Sequence, residues 1–111
     1  MSILVVAEHD GKTISPATRA AIGAAQKIGG EIHLLIAGHG IDAVKNAAAK
    51  IAGITQVLVE DDVLYAHPLA ENLAPFITEM AGGYSHIFAA ATSVGKDVMP
   101  RVAALLNVQQ I

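Results

Sequence analysis

The sequence predicts an α/β domain in which helices cover both faces of a mainly parallel β-sheet. Four short apolar segments recur along the chain, and each is followed by a turn and a stretch with helical spacing. These segments are continuous apolar runs, as strands of a parallel sheet buried on both faces require. The 111 residues, 53% of them apolar, supply one sizeable core. We therefore predict a three-layer α/β/α sandwich that forms a single domain over residues 1–111.

The predicted strands and helices alternate in chain order. The strands are residues 3–7, 32–37, 57–59 with their flanks, and 87–90. Ser15 is the expected N-cap of the first helix, Pro16 suits its first turn, and Gly29 and Gly30 end it. The buried stripe of this helix is predicted to consist of Ala17, Ala20, Ala21, Ala24, Ala25 and Ile28.

Three further helices each show one apolar face. The second is predicted to end at Gly53 after burying Val44, Ala47, Ala48 and Ile51. The third is predicted to end at Gly82 and Gly83 after burying Leu69, Leu73, Phe76, Ile77 and Met80. The fourth begins near Lys96 or Asp97 and is predicted to bury Val98, Val102, Leu105 and Leu106. Residues 108–111 have the character of the start of a fifth strand, so we expect the chain to be a fragment of a longer domain.

The composition excludes several classes of function. Only 15% of residues are charged and the net charge is -3, so the chain lacks the basic surface that nucleic-acid binding requires. It has no cysteine, which excludes disulfides, thiol nucleophiles and cysteine-ligated zinc. The apolar runs are far shorter than the roughly 20 residues of a membrane-spanning helix. Since no leader or transit segment is recognisable, we expect a cytoplasmic bacterial protein, or a mitochondrial matrix protein if the source is eukaryotic.

A glycine-rich turn follows the second predicted strand. Gly38, Gly40 and Ala43 fit the spacing G-x-G-x-x-G/A, and Glu60 stands at the end of the next strand. In a dinucleotide site such glycines bring backbone amides to a pyrophosphate, and the acid binds the ribose hydroxyls. This turn is the second strand-to-helix connection and not the first, and glycine is common in any tight turn. We therefore rank a dinucleotide site below the other interpretations.

A second candidate is the loop after the fourth strand, residues 91–97. It is expected at the carboxyl edge of the sheet, where open α/β sheets bind ligands. Its candidate cofactor-binding residues are Thr92, Ser93, Gly95 and Lys96, which offer hydroxyls, backbone amides and one ammonium to a phosphate. The spacing of a Walker A loop is missing. A capped turn that satisfies the start of the next helix explains the same residues equally well.

Neither a catalytic site nor a metal site is predicted. The histidines show no pairing at helical spacing and are His9, His33, His39, His67 and His86. Two of them, His33 and His86, lie in or beside strands and are interpreted as packed or hydrogen-bonded structural residues. The two at the carboxyl edge, His9 and His39, have no recognisable serine nucleophile near them. The acidic run of residues 60–62 is interpreted as a solvated loop after the third strand.

Several segments occur in the order seen in one known family. They are residues 3–8, 33–38, 47–53, 57–62 and 65–67. The most specific segment is residues 91–97, continuing through Pro100 and Arg101 to Leu106. Together they closely resemble the N-terminal domain of electron transfer flavoprotein alpha subunits, and the match covers essentially all 111 residues.

The resemblance implies an adenine-nucleotide-hydrolase-like, Rossmann-like fold without an active site of its own. In that family a heterodimer with a beta subunit carries electrons on FAD, which does the chemistry. The electrons come from acyl-CoA and other dehydrogenases, as in fatty acid β-oxidation, and go to a quinone-linked acceptor of the respiratory chain. FAD lies mainly in a C-terminal domain that these residues lack, and AMP belongs to the beta subunit. The resemblance thus implies an electron-carrier fragment that binds neither FAD nor metal itself and serves as a scaffold at the subunit interface.

One alternative from another class stays open. A stand-alone adenine-nucleotide-binding domain of the stress-protein type would place Thr92, Ser93, Gly95 and Lys96 on phosphate. Such a domain binds ATP or AMP as this isolated chain. The flavoprotein interpretation instead predicts negligible nucleotide affinity and a gene that encodes at least roughly twice this length.

Overall fold

Four parallel strands form the centre of the fold. The computed structural model describes residues 2–10, 12–62, 70–89 and 99. The strands are β1 (Ser2–Val6), β2 (Glu31–Gly38), β3 (Gln56–Asp61) and β4 (His86–Ala89). They lie in the order β3-β2-β1-β4, and each neighbouring pair is parallel. The predicted parallel sheet is therefore confirmed.

Helices cover both faces of this sheet. The helices α1 (Pro16–Ile28) and α2 (Asp42–Ala49) pack on one face, and α3 (Ala70–Met80) packs on the other. The first face buries a cluster that includes Ile3, Val5, Ile22, Ala25, Leu34, Ile36, Val44 and Ala48. The second face buries Leu4, Leu35, Ala74 and Ile77. Successive strand residues thus enter opposite layers, which explains the continuous apolar runs and confirms the α/β/α sandwich.

Helix α1 begins as predicted but turns a partly different face to the core. Its N-cap is Ser15, whose side chain accepts a hydrogen bond from the amide of Thr18 at 3.1 Å. The predicted stripe is correct in Ala25, which is buried, and in Ala21, which packs against the core. It is wrong in including Ala20, Ala24 and Ile28, which are exposed, and in omitting Thr18 and Ile22, which are buried. The Thr18 hydroxyl accepts the backbone N–H of Glu8 at 2.8 Å, which turns this face of the helix inward. Ile22 also removes more apolar area from water than any alanine does.

The other helices follow their predicted faces within the part of the chain that is described. Helix α2 buries Val44 and Ala48 and ends at Ala49, before the predicted stop at Gly53. Helix α3 buries Ile77, packs Phe76 and Met80 against the same cluster, and runs into a short 3-10 helix, Ala81–Gly83. Leu69, the side chain of Leu73, the fourth predicted helix and the predicted start of a fifth strand lie outside the described residues.

The strand order sets where a ligand site is expected. From β1 the chain moves outward through β2 to β3 and then returns to place β4 on the other side of β1. All four strands therefore end at one edge, and the order reverses between β1 and β4. No helix among the described residues is long and apolar enough to cross a membrane.

Candidate functional site: the carboxyl edge of the sheet

The carboxyl edge brings together three of the polar segments that the sequence singled out. The connection after β1 carries His9, the turn after β2 carries His39, and β3 ends at Asp61. The β2 and β3 ends are in register, because Gly38 pairs with Asp61. His9 and His39 therefore lie at the edge that was predicted for them.

The start of helix α2 is capped by a residue from the neighbouring strand. Its own N-cap position is Ile41, which has no side-chain oxygen to offer. Asp61 replaces the missing cap: one carboxylate oxygen accepts the N–H of Gly40 at 3.0 Å and the other accepts the N–H of Ile41 at 3.3 Å. Gly40 has a φ of 66°, in the left-handed region, and this conformation suits glycine. The carboxylate thus binds the amide of the N-cap residue Ile41 and that of Gly40 just before it.

His39 adds a third group to this carboxylate. Its Nδ1 lies 3.5 Å from an oxygen of Asp61, and both side chains are partly exposed. The hydrogen bonds from Gly40 and then Ile41, followed by the charge of His39, hold the pKa of Asp61 below its ordinary value of 3.8. Asp61 is thus an ionised group that is held in place by donors from the turn between β2 and α2.

The hydrogen bonds to Asp61 bear on the dinucleotide interpretation of the glycine-rich turn. The amides of Gly40 and Ile41, which a pyrophosphate would need, already bind Asp61. Glu60, which the dinucleotide interpretation assigns to the ribose, stands near the end of β3, as expected. The interpretation of residues 60–62 as a loop after the third strand is wrong, since Glu60 and Asp61 belong to β3 and only Asp62 follows it. The contact between Asp61 and the turn after β2 depends on the pairing of Gly38 with Asp61. Sequence reasoning misses it because the strand register is not known from the sequence.

Gly38 is required by packing and not by a ligand. A Cβ atom at Gly38 would lie 2.7 Å from Cγ2 of Ile41 and 3.0 Å from Cε1 of His9. The His9 ring is fixed there because its Nε2 lies 2.9 Å from the carbonyl oxygen of Ala37. Since a carbonyl oxygen only accepts, the proton of a neutral His9 sits on Nε2. The space above Gly38 is therefore filled by the protein's own side chains.

The connection between β1 and α1 is also closed by its own hydrogen bonds. One carboxylate oxygen of Asp10 accepts the backbone N–H of Lys12 at 2.9 Å and of Thr13 at 2.7 Å. The bond from Thr13, with that from Lys12, lowers the pKa of Asp10 below its ordinary value. The amide of Ser15 reaches the carbonyl of Glu8 at 3.0 Å and closes the base of the loop. The described residues of this connection are thus held together by their own hydrogen bonds.

The two histidines interpreted as structural are hydrogen-bonded, as predicted. His33 lies in β2 with its Nδ1 2.8 Å from the hydroxyl of Tyr84. His86 lies in β4, 3.0 Å from the hydroxyl of Ser85, and stacks on Phe88. Both are near the amino edge of the sheet, away from His9 and His39. No group of three or more His, Asp or Glu residues that could hold a metal ion occurs within the described ranges.

The second candidate site lies outside the described residues. Thr92, Ser93, Gly95 and Lys96 follow β4, which ends at Ala89. Their assignment to phosphate binding or to a capped turn stays a prediction. His67 and Arg101 lie outside the described residues as well.

Neutralising Asp61 is expected to weaken the protein and to flatten its response to acid. In Asp61→Asn the amides of Gly40 and Ile41 lose a charged acceptor. Because the folded pKa of Asp61 is depressed, its stabilisation is present above pH 3.8 and is lost as the pH falls through the folded pKa. Urea unfolding at pH 7 and near pH 3 measures the loss.

The matched control is Asp62→Asn, which removes the same charge one residue further on. The midpoint difference between the two pH values should shrink in Asp61→Asn relative to both wild type and Asp62→Asn. Equal behaviour of the two variants would show that net charge, and not the cap, carries the effect.

The geometry defines an open, parallel, Rossmann-like α/β domain whose carboxyl edge, in the described part, is closed by its own side chains. The family model of the electron transfer flavoprotein domain matches residues 3–111. The chain therefore belongs to the electron transfer flavoprotein family, and the resemblance found in its sequence is confirmed.

Curated relatives give the same result. An electron transfer flavoprotein subunit alpha of Pseudomonas aeruginosa is 52% identical over 111 residues, which cover 100% of this chain and 36% of the relative. The subunit alpha of Paracoccus denitrificans is 46% identical over 108 residues, covering 97% of this chain and 35% of that protein. The mitochondrial subunit alpha of Oryza sativa subsp. indica is 41% identical over 119 residues, which cover 100% of this chain and 33% of that protein. The chain thus spans about a third of the length of these relatives.

Proposed function

We propose that residues 1–111 are the N-terminal α/β domain of an electron transfer flavoprotein alpha subunit. The parent protein is a heterodimer with a beta subunit. It carries electrons on FAD from acyl-CoA and other dehydrogenases to a quinone-linked acceptor. The observation that carries this proposal is the 52% identity to a named alpha subunit over all of this chain and only 36% of that relative.

The described residues do not fit FAD. The amides of Gly40 and Ile41 bind Asp61, and the space above Gly38 is filled by Ile41 and His9. A dinucleotide needs both the amides and the close approach at such a turn. We therefore assign FAD to the part of the parent protein that this chain does not include.

The role proposed for this domain is structural. A sheet covered on both faces is a stiff body that can hold the flavin-carrying part and the beta subunit in place. In this role the domain supplies a surface on which the other parts of the protein rest, and it supplies no group that reacts. The domain is therefore proposed not to be an enzyme by itself. We expect the protein in the cytoplasm of a bacterium, or in the mitochondrial matrix of a eukaryote, as the relative from Oryza sativa is named mitochondrial.

The experiment that tests the proposal is purification of the native protein through a tag on its own gene. We expect a longer alpha chain, a co-purifying second subunit, and a flavin absorbance spectrum with about one flavin per heterodimer. The intact mass of the tagged chain settles its length in the same sample.

The competing outcome is a colourless protein of the mass of this chain that binds ATP. It would contradict the flavoprotein proposal and favour a stand-alone adenine-nucleotide-binding domain with Thr92, Ser93, Gly95 and Lys96 on phosphate. In an open α/β sheet a nucleotide is expected beside the point where the strand order reverses, and β4 is one of the two strands at that point.

A further inference from the structure

A hydrogen bond near the amino edge of the sheet joins β2 to the connection that precedes β4, although β1 lies between these two strands. Tyr84 lies in the connection that leads from α3 and its 3-10 extension into β4. Its hydroxyl is 2.8 Å from Nδ1 of His33, the third residue of β2, although β1 lies between β2 and β4. The two rings meet edge to face, with centroids 5.3 Å apart and planes at 88°. The contact therefore ties the start of β4 to β2 across β1.

The other nitrogen of His33 is buried beside a carboxylate. His33 Nε2 has no aligned hydrogen-bond partner, and an oxygen of Glu31 lies 3.4 Å away. Glu31 and His33 are two apart on β2, so their side chains share one face of the sheet. The His33 side chain is only 14% exposed and that of Glu31 is 63% exposed, so the imidazole is shielded from water although the carboxylate is not.

Glu31 selects the position of the proton on a neutral His33. With the proton on Nδ1, the lone pair of Nε2 would face the negative carboxylate and stay buried without a donor. With the proton on Nε2, the N–H dipole points its positive end toward Glu31, and Nδ1 is left to accept. Tyr84 is suited to be the donor, because burial raises its pKa above 10.0 and keeps the hydroxyl protonated at neutral pH.

We infer that Tyr84, His33 and Glu31 form a strap with a fixed proton order, in which the Tyr84 hydroxyl donates to Nδ1 of His33 and Nε2–H faces Glu31. The strap holds the α3–β4 connection on the amino edge of the sheet. Ser85 adds a second tie nearby, since its amide lies 2.9 Å and its hydroxyl 3.1 Å from the carbonyl of Ser2. The two ties therefore hold the amino end of the described strand β4, His86–Ala89.

The residues paired with His33 on the neighbouring strands add no charge beside its imidazole ring. The β1 and β3 partners of His33 are Leu4 and Gln56, and neither is charged. His86, close to Tyr84 in the chain, alternates along β4 with Ile87 and so projects from the opposite face of the sheet. The strap does not depend on the flavoprotein proposal.

The first test reads the proton order directly. The native full-length protein, labelled selectively with nitrogen-15 in histidine, is studied by NMR at neutral pH, and His33→Gln assigns the signals. We expect Nε2–H as the main neutral tautomer of His33 and a measurable fraction of Nδ1–H in Glu31→Gln. Glu60→Gln, a carboxylate on β3, is the matched control and should leave the tautomer unchanged. A dominant Nδ1–H tautomer in the wild type would overturn the inference.

The second test reads the mechanical role of the strap by amide hydrogen exchange. Tyr84→Phe keeps the ring contact and removes only the hydroxyl. We expect exchange of the β4 amides to accelerate roughly five- to tenfold, as loss of one hydrogen bond predicts, with the β3 amides unchanged as an internal reference. Unchanged β4 exchange, or equal acceleration in β3 and β4, would show that the hydroxyl does not hold β4 locally.

Discussion

Replacing Gly38 with alanine is expected to destabilise the protein by about 1–3 kcal/mol, the cost of overpacking a filled interior. The new methyl group would lie 2.7 Å from Cγ2 of Ile41 and 3.0 Å from Cε1 of His9. Neither neighbour yields easily, because Ile41 is only 1% exposed and His9 is held by the carbonyl of Ala37. Urea unfolding monitored by circular dichroism measures the change.

The matched control for this substitution is Gly23→Ala in helix α1. No atom lies within 4 Å of a Cβ built at Gly23, so alanine there meets open space. It should stabilise the protein by about 0.5–1 kcal/mol, since glycine costs that much inside a helix. A destabilised Gly23→Ala would indicate that glycine replacement is harmful for some other reason than crowding.

A double variant identifies the atom that causes the clash. Ile41→Ala removes the methyl group that meets the new Cβ, so Gly38→Ala should cost less in that background than in the wild type. Residues in contact show such coupling, whereas independent sites add. Additive costs would contradict a steric origin. The backbone amide of Ile41 also donates to Asp61. A shift of Ile41 away from the new methyl group would therefore disturb this hydrogen bond as well.

Local signals explain which parts of the fold the sequence predicts. The strands can be recognised in the sequence as continuous apolar runs, because a sheet covered on both faces buries every residue of β1 from Ile3 to Val5. The start of α1 is visible because Ser15 and Pro16 satisfy its first turn within a few residues. Each of these features depends on neighbours in sequence, and a pattern over neighbours reveals them.

The features that escape prediction depend on contacts between distant segments. Asp61 caps α2 only because β3 pairs with β2 in the register that sets Asp61 beside Gly38. The face that α1 turns inward is chosen by Thr18, whose hydroxyl meets the backbone of Glu8. An alanine stripe and a threonine-centred face have the same helical period, so periodicity alone does not separate them. The polar residues of the carboxyl edge are therefore predicted at the correct edge, whereas the hydrogen bonds between Asp61 and the glycine-rich turn are not predicted.

The largest single effect is expected from Ile36→Ala, at about 2–5 kcal/mol of lost stability. Ile36 is fully buried in β2, in the cluster that joins the sheet to α1 and α2. Truncation loses the transfer free energy of the removed carbons and leaves a cavity that a sheet flanked by helices fills poorly. Ile36→Val, which removes one methylene, should cost only about 0.5–1.5 kcal/mol. Urea midpoints at unchanged m-value measure both variants.

Combining this change with one on the opposite face tests whether the two cores act separately. Ile77→Ala truncates a fully buried residue of α3, in the cluster on the other side of the sheet. The backbone of the sheet stands between the two side chains, so the cavities share no lining residues and the costs should add to within about 0.5 kcal/mol. A marked excess or deficit in the double variant would mean that one layer relaxes into the space left by the other. Additivity would instead show that the sheet separates its two faces energetically, as the scaffold role proposed for this domain requires.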